Sequence, residues 1–133
     1  VSQYLRLFAG ELATLAHYQQ VSEVGEWLSD GRIPREAVWR GMQVPVVALA
    51  TRFGQPAAAI TAYVVVEAGA QRIMLLVDRI EALVDVDAMH FQPVLNEEVL
   101  PDPALDQACY IAGDDRIYWR LDPAALVADT LDG

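Results

Sequence analysis

The chain is 133 residues long and 54% apolar, and it carries 19 acids against 9 bases, every base an arginine, for a net charge of −10. That length supports one domain, residues 1–133, with a core that needs neither disulfide nor metal. The charge argues against nucleic acid and anionic lipid as partners and for a partner with a basic or apolar docking surface. No window approaches the roughly 18 unbroken apolar residues of a membrane span, and no stretch reads as a signal peptide. The single cysteine, Cys109, excludes an internal disulfide and fits the cytoplasm. A chain that opens on Val1 leaves open whether it is a whole protein or a module of a longer one.

Tyr4 to Phe8 and Glu11 to Ala16 read as two strands joined at Ala9-Gly10. From Tyr18 the spacing changes: Val21, Val24 and Leu28 fall at i, i+3 and i+7, which predicts a short helix or turn ending at Ser29-Asp30-Gly31. Ile33-Pro34 resets the chain to an extended course.

The stretch from Trp39 to Gly54 organises the rest. An extended Val38 to Arg40 places Trp39 toward the core and Arg40 on the opposite face, with Gly41 free to turn or bulge. Val44, Val46 and Ala48 then line one face of a strand, and Pro45, Val47 and Leu49 the other. A strand apolar on both faces must be covered on both. Pro45 cannot donate to a ladder, so an edge or bulge is expected beside it.

Arg52 to Pro56 closes that strand, and Ala57 to Ala59 is a small-residue connector. Thr61 to Glu67 and Arg72 to Val77 form a hairpin through Ala68-Gly69-Ala70-Gln71. Asp78-Arg79 redirects the chain into an alternating run, with Ile80, Ala82, Val84 and Val86 on one face. Leu83 is the apolar member of the charged face, set for a neighbouring loop or a partner. Phe91 to Pro103 is irregular. Ala108 to Ala112 and Arg116 to Leu121 pair around Gly113-Asp114-Asp115, and Asp122-Pro123 caps a last helix that Ala125, Leu126 and Leu131 would pack. Eight to ten short strands with two minor helices predict an all-β fold of barrel type.

Catalytic signals are absent from the pattern. His17 and His90 stand apart without carboxylates at ligand spacing, so no metal is expected. Cys109 has no flanking base to lower its pKa and reads as a small buried hydrophobe. Single glycines cradle no phosphate, and no organic cofactor is expected. The pairs Asp85 with Asp87, Glu97 with Glu98, and Asp114 with Asp115 read as solvated faces or turn chemistry.

Four stretches taken together resemble a known family. Val21-Ser22-Glu23-Val24 is similar to V-x-E-[IV]. Arg40-Gly41, followed after three residues by Pro45-Val46-Val47 and Leu49, is similar to R-G-x-x-x-P-V-[IV]-D-L. Ile73 to Ile80 is similar to G-[IL]-[LV]-V-D-x-[IV], and Arg116 to Asp122 with Leu126 fits a closing strand and terminal helix. In this order they resemble the CheW-like domain, the adaptor module of bacterial chemosensory systems. Ala48 replaces the aspartate of D-L, and Val38-Trp39 replaces asparagine-leucine before R-G. Both departures resemble the branch tied to type IV pilus (twitching) chemosensory clusters.

The resemblance implies two small interlocked five-stranded barrels of SH3-like type. It implies a non-enzymatic scaffold that couples a chemoreceptor to a CheA-type histidine kinase through a groove between the barrels. Val21 and Glu23, Arg40 and Gly41, and Val77 and Asp78 match the family's partner-binding positions. A different class remains open from the residues alone: a small barrel that holds a ligand in an apolar cavity. A filled core with an exposed apolar groove favours the adaptor.

Overall fold

The computed structural model describes residues 2–28, 32–56, 59–93, 102–111, 113 and 115–132. The predicted stop at Ser29-Asp30-Gly31, Ala57 and Ala58 of the connector, Glu97 and Glu98, Ala112, Asp114 and the side chain of Leu131 lie outside them. Among the described residues the chain forms eleven strands and two α-helices. The strands are β1 (Ser2–Ala9), β2 (Leu12–His17), β3 (Val21–Glu26), β4 (Glu36–Trp39), β5 (Met42–Ala48), β6 (Ala62–Ala68), β7 (Gln71–Val77), β8 (Arg79–Val86), β9 (Gln92–Pro93), β10 (Gln107–Tyr110) and β11 (Ile117–Arg120). The helices are α1 (Leu49–Arg52) and α2 (Pro123–Asp132).

The strands form two sheets, in the orders β8-β1-β2-β11-β10-β9 and β3-β6-β7-β5-β4. The sixth member of the first is the two-residue β9, so two sets of five longer strands remain. The whole second sheet is inserted in the chain between β2 and β8. The chain therefore passes from one sheet to the other twice, and the halves interlock.

Period-two alternation explains how one sequence fills three cores. In β1, Tyr4 and Phe8 point into the first barrel with Leu15, Cys109 and Tyr118. The intervening Leu5 and Leu7 point into a layer shared by both sheets, with Val64, Leu75, Leu105 and Leu126. In β6 and β7 the same rule sends Val65, Met74 and Leu76 into the second barrel with Trp39, Val44, Val46 and Ala48. Val64, Val66, Ile73, Leu75 and Val77 go to the shared layer. Each such residue is apolar because its face is covered, and a fully buried Leu or Val contributes about 1.5–3 kcal/mol.

The expected two-sided strand is therefore observed, and of the edge or bulge expected beside Pro45 the structure has a local edge toward β7. Pro45 is in register with Glu36 of β4, the amide of Val46 donates to the carbonyl of Arg35 (2.9 Å), and the parallel ladder with β7 begins only at Val46. Successive amides point to opposite sides, so the Pro45 nitrogen faces β7 just before that ladder starts, where no donor is required.

The structure departs from the sequence reading at several points. Among the described residues there are eleven strands and not eight to ten, and β9 falls in the stretch read as irregular. A bulge in β8 sends Ile80 to the shared layer but Val84 and Val86 into the first barrel, so Ile80, Ala82, Val84 and Val86 do not share one face. The Val21, Val24, Leu28 spacing is not a helical stripe. After a single turn of 3-10 helix at Tyr18–Gln20 the chain runs extended as β3, paired with β6, and leaves Leu28 90% exposed. Leu49 does not end β5 but opens the one-turn helix α1, which buries Leu49 and Ala50. Finally, Arg40 is not extended. Its φ is +49° and that of Gly41 is +78°, so the pair forms a two-residue hairpin turn with both residues left-handed, and Arg40 folds back over Trp39 instead of facing away.

Candidate functional site

The edges of the second sheet are β3 and β4, and a cluster of side chains joins them. Glu23 stands on β3. Its Oε2 accepts from the indole Nε1 of Trp39 on β4 (3.1 Å) and from the hydroxyl of Tyr63 on β6 (2.8 Å). A guanidinium nitrogen of Arg40 lies 3.7 Å from Oε1, and the guanidinium carbon sits 4.6 Å from the Trp39 ring centroid. The Tyr63 hydroxyl first, then the Trp39 indole, and further the Arg40 charge hold the Glu23 carboxyl below the ordinary carboxylate range. The carboxylate in turn raises the Tyr63 phenol.

Local sequence makes this possible at two points. Gly25 pairs with Tyr63, and a β-carbon at Gly25 would stand 2.5 Å from the ring. The missing side chain lets Tyr63 lie across β3 and reach Glu23. The Arg40-Gly41 turn then brings the guanidinium back onto Trp39. Of this tip Trp39 is buried, while the Arg40 side chain is 64% exposed and Val38 and Met42 are exposed beside it.

A second feature lies where the sheets meet. Val24, Trp27 and Leu28 at the end of β3, Ile60 and Ala62 entering β6, and Arg79 and Ile80 opening β8 line an open, mostly apolar groove of about 680 Å³. Asp78 marks the crossing into β8: its amide donates to the carbonyl of Phe8 (2.9 Å) and its Oδ2 accepts from the amide of Gly10 (2.8 Å). Both barrel interiors are filled, by side chains such as Leu15 and Tyr118 in one and Val65 and Leu76 in the other.

The family model for the CheW-like domain matches residues 7–131. The chain belongs to the CheW-like domain family. Its fold is also similar to the crystal structure of the scaffolding protein TtCheW from Thermoanaerobacter tengcongensis, with a TM-score of 0.75 and 21% identity over 90% of this chain and 88% of that one. No curated protein matches.

In this CheW-like domain the six residues singled out by motif do not form one patch. Glu23, Arg40 and Gly41 meet at the tip of the second barrel. Val21 is half-buried at the start of β3 and packs on the shared core. Val77 is fully buried in that core, so its side chain points away from the face that carries Glu23 and Tyr63. Asp78 sits at the joint between the sheets. The resemblance implied a groove between the barrels, but sequence reasoning missed Ile60 and Trp27 in its lining, because that lining comes from three separated segments. Exposed apolar residues were the available signal, and Leu83, 37% exposed on β8, is another of them.

The remaining candidates have structural roles. The Nδ1 of His17 accepts from the amide of Gln19 (3.2 Å), and its ring meets Tyr4 edge-on. Cys109 is buried, and burial raises its thiol pKa. Asp87 caps the turn at Met89. Among the described residues no group of three His, Cys, Asp or Glu side chains could hold a metal.

Proposed function

We propose that this CheW-like domain is a non-enzymatic docking module of a bacterial chemosensory complex, working in the cytoplasm to align a chemoreceptor with a histidine kinase. The observation that carries the reading is the open apolar groove at the joint of two filled barrels, in a chain that belongs to this family. Val24 and Leu28 are exposed along it, and Ile60 and Ile80 are half-buried beside them, which suits one apolar face of a partner helix. The tip formed by Glu23, Arg40 and Gly41 supplies a separate charged contact, and Val21 and Asp78 brace the strands that frame the groove. Val77 takes part only by fixing its strand. Trp39 before the R-G step and Ala48 in place of aspartate support assignment to a type IV pilus system over flagellar chemotaxis.

The experiment is a binding titration with two purified probes from the same genome: the cytoplasmic signalling fragment of a chemoreceptor and the regulatory domain of a chemosensory histidine kinase. Val24→Arg is expected to weaken receptor binding at least tenfold while leaving the urea midpoint unchanged, since Val24 is already 46% exposed. A wild-type protein that binds neither probe would sink the adaptor reading.

A further inference from the structure

Arg40 is, among the described residues, the one non-glycine with positive φ. The left-handed region is resisted by any β-carbon, and the first position of such a hairpin turn is ordinarily glycine, asparagine or aspartate. An arginine held there against that preference points to a use for its side chain. The guanidinium is laid on the Trp39 ring at 4.6 Å. Its approach to Glu23, 3.7 Å, is an ion pair too long for a tight hydrogen bond, and its side chain is 64% exposed. Glu23 is the opposite case, because its Oε2 is already taken by Trp39 and Tyr63.

We infer that Glu23 is a positioning residue and not a docking contact: it closes the second barrel and steers Arg40 onto Trp39, so that this tip presents a single guanidinium, on the strand face it shares with Met42, to a carboxylate on the partner. The inference rests on the adaptor reading for the identity of the partner, but the positioning of Arg40 by Glu23 does not. Charge complementarity selects the occupant. Of the ion pair it is the guanidinium that faces solvent, 64% exposed against 35% for the Glu23 side chain, which suits an acidic side chain set in an apolar surface. Met42, on the same face, is 50% exposed, so an apolar contact is available beside it without rearrangement.

The test is a double-mutant cycle read by calorimetric affinity for the kinase regulatory domain and the receptor fragment, together with NMR of the Arg40 Nε–H and Trp39 indole signals in the free protein. Arg40→Ala should weaken binding at least tenfold and Arg40→Glu further still. Glu23→Gln should weaken it severalfold and give the Arg40 Nε–H the dynamics of a solvated arginine. The double variant Glu23→Gln with Arg40→Ala should bind within about twofold of Arg40→Ala alone, because Glu23 acts only through Arg40. A further tenfold loss in the double variant would make Glu23 a contact in its own right and overturn the inference. So would unchanged binding by Arg40→Ala, tighter binding by Arg40→Glu, or an Arg40 signal indifferent to Glu23→Gln. If wild type binds neither probe, the adaptor reading and the carboxylate-bearing partner fall together, and the NMR signals alone decide whether Glu23 positions Arg40.

Discussion

Trp39 and Glu23 belong to opposite outer strands of the five-stranded sheet, and the indole of one donates to the carboxylate of the other across 3.1 Å. The bond does between side chains what a backbone ladder would do in a fully closed barrel. It places a buried ring over the core and gives its N–H a partner at the rim. Tyr63, reaching the same carboxylate oxygen from β6, ties the closure to the middle of the sheet.

Trp39→Ala should therefore cost on the order of 3–5 kcal/mol of folding stability, since the ring is 7% exposed and packs in the second-barrel core. Trp39→Phe retains most of the bulk and removes only the donor, so its loss should be distinctly smaller. Urea denaturation followed by far-UV circular dichroism measures both. Equal losses for the two variants would mean that the indole bond, and not packing, dominates.

The same cluster gives a pH dependence with a defined sign. The folded-state pKa of Glu23 is depressed, so its contribution is fully present above the unfolded value, about 4.3, and is lost as pH falls through the folded value. Wild type should lose stability more steeply than Glu23→Gln below about pH 4. For Tyr63 the shift is upward. Its contribution is present below the unfolded value, about 10, and is lost as pH rises through the folded one, so Tyr63→Phe should flatten the alkaline limb. Urea midpoints measured from pH 2.5 to 11 would show both limbs; parallel acid limbs for wild type and Glu23→Gln would remove Glu23 from the account.

Arg40→Gly sets backbone against side chain. Glycine accepts a φ of +49° without the roughly 1 kcal/mol that a β-carbon costs there. The stacking lost from Trp39 is worth about 0.5–1 kcal/mol at an exposed site. The two nearly cancel, so the urea midpoint should stay or rise while partner affinity falls. A clear loss of stability would make Arg40 a structural residue.

The central strands were legible because they are covered on both faces. Alternation in β1, β5, β6 and β7 then showed as two interleaved apolar sets, and Pro45 marked where one ladder hands over to another. β3 was not legible. Val21, Val24 and Leu28 are spaced like a helix, and only pairing with β6, where Gly25 meets the Tyr63 ring, makes the segment extended. Arg40 misled for a related reason, since an extended arginine is the ordinary expectation and only the closed turn shows a left-handed one. The site partners were beyond local pattern altogether: Glu23 meets residues 16 and 40 positions away. The motif could name Glu23 and Arg40 but could not show which of them is engaged inside the fold.

Gly25→Ala should be costly in spite of its place on an edge strand. The added methyl would meet the Tyr63 ring at 2.5 Å, and the ring cannot withdraw without releasing Glu23. Overpacking of this kind costs about 1–3 kcal/mol. Gly25→Ala combined with Tyr63→Ala should be less than additive, because the second change removes the obstacle. Additive losses in urea would place the strain elsewhere.

An ion pair pins the shared core from the side of α1. Arg52 on α1 donates from Nε to Asp102 Oδ2 at 2.7 Å and from Nη2 to Oδ1 at 3.1 Å, a bidentate pair bridging 50 residues of chain. Both side chains are largely buried, at 18% and 9% exposure. Asp102 also accepts from the amide of Ala104, and the turn it starts buries Ala104 and Leu105 completely in the shared core. Arg52→Ala leaves a carboxylate nearly buried and without its guanidinium, so the expected loss is about 3 kcal/mol, the low end for breaking such a pair. Arg52→Met with Asp102→Leu removes both charges and should recover part of that loss, but not all of it, because the Ala104 amide loses its acceptor. Asp102→Asn can still accept from that amide and should fall between the two. Urea denaturation orders the three variants. If Arg52→Ala is no worse than an exposed substitution, the pair does not hold the segment from Asp102 to Leu105 against the shared core.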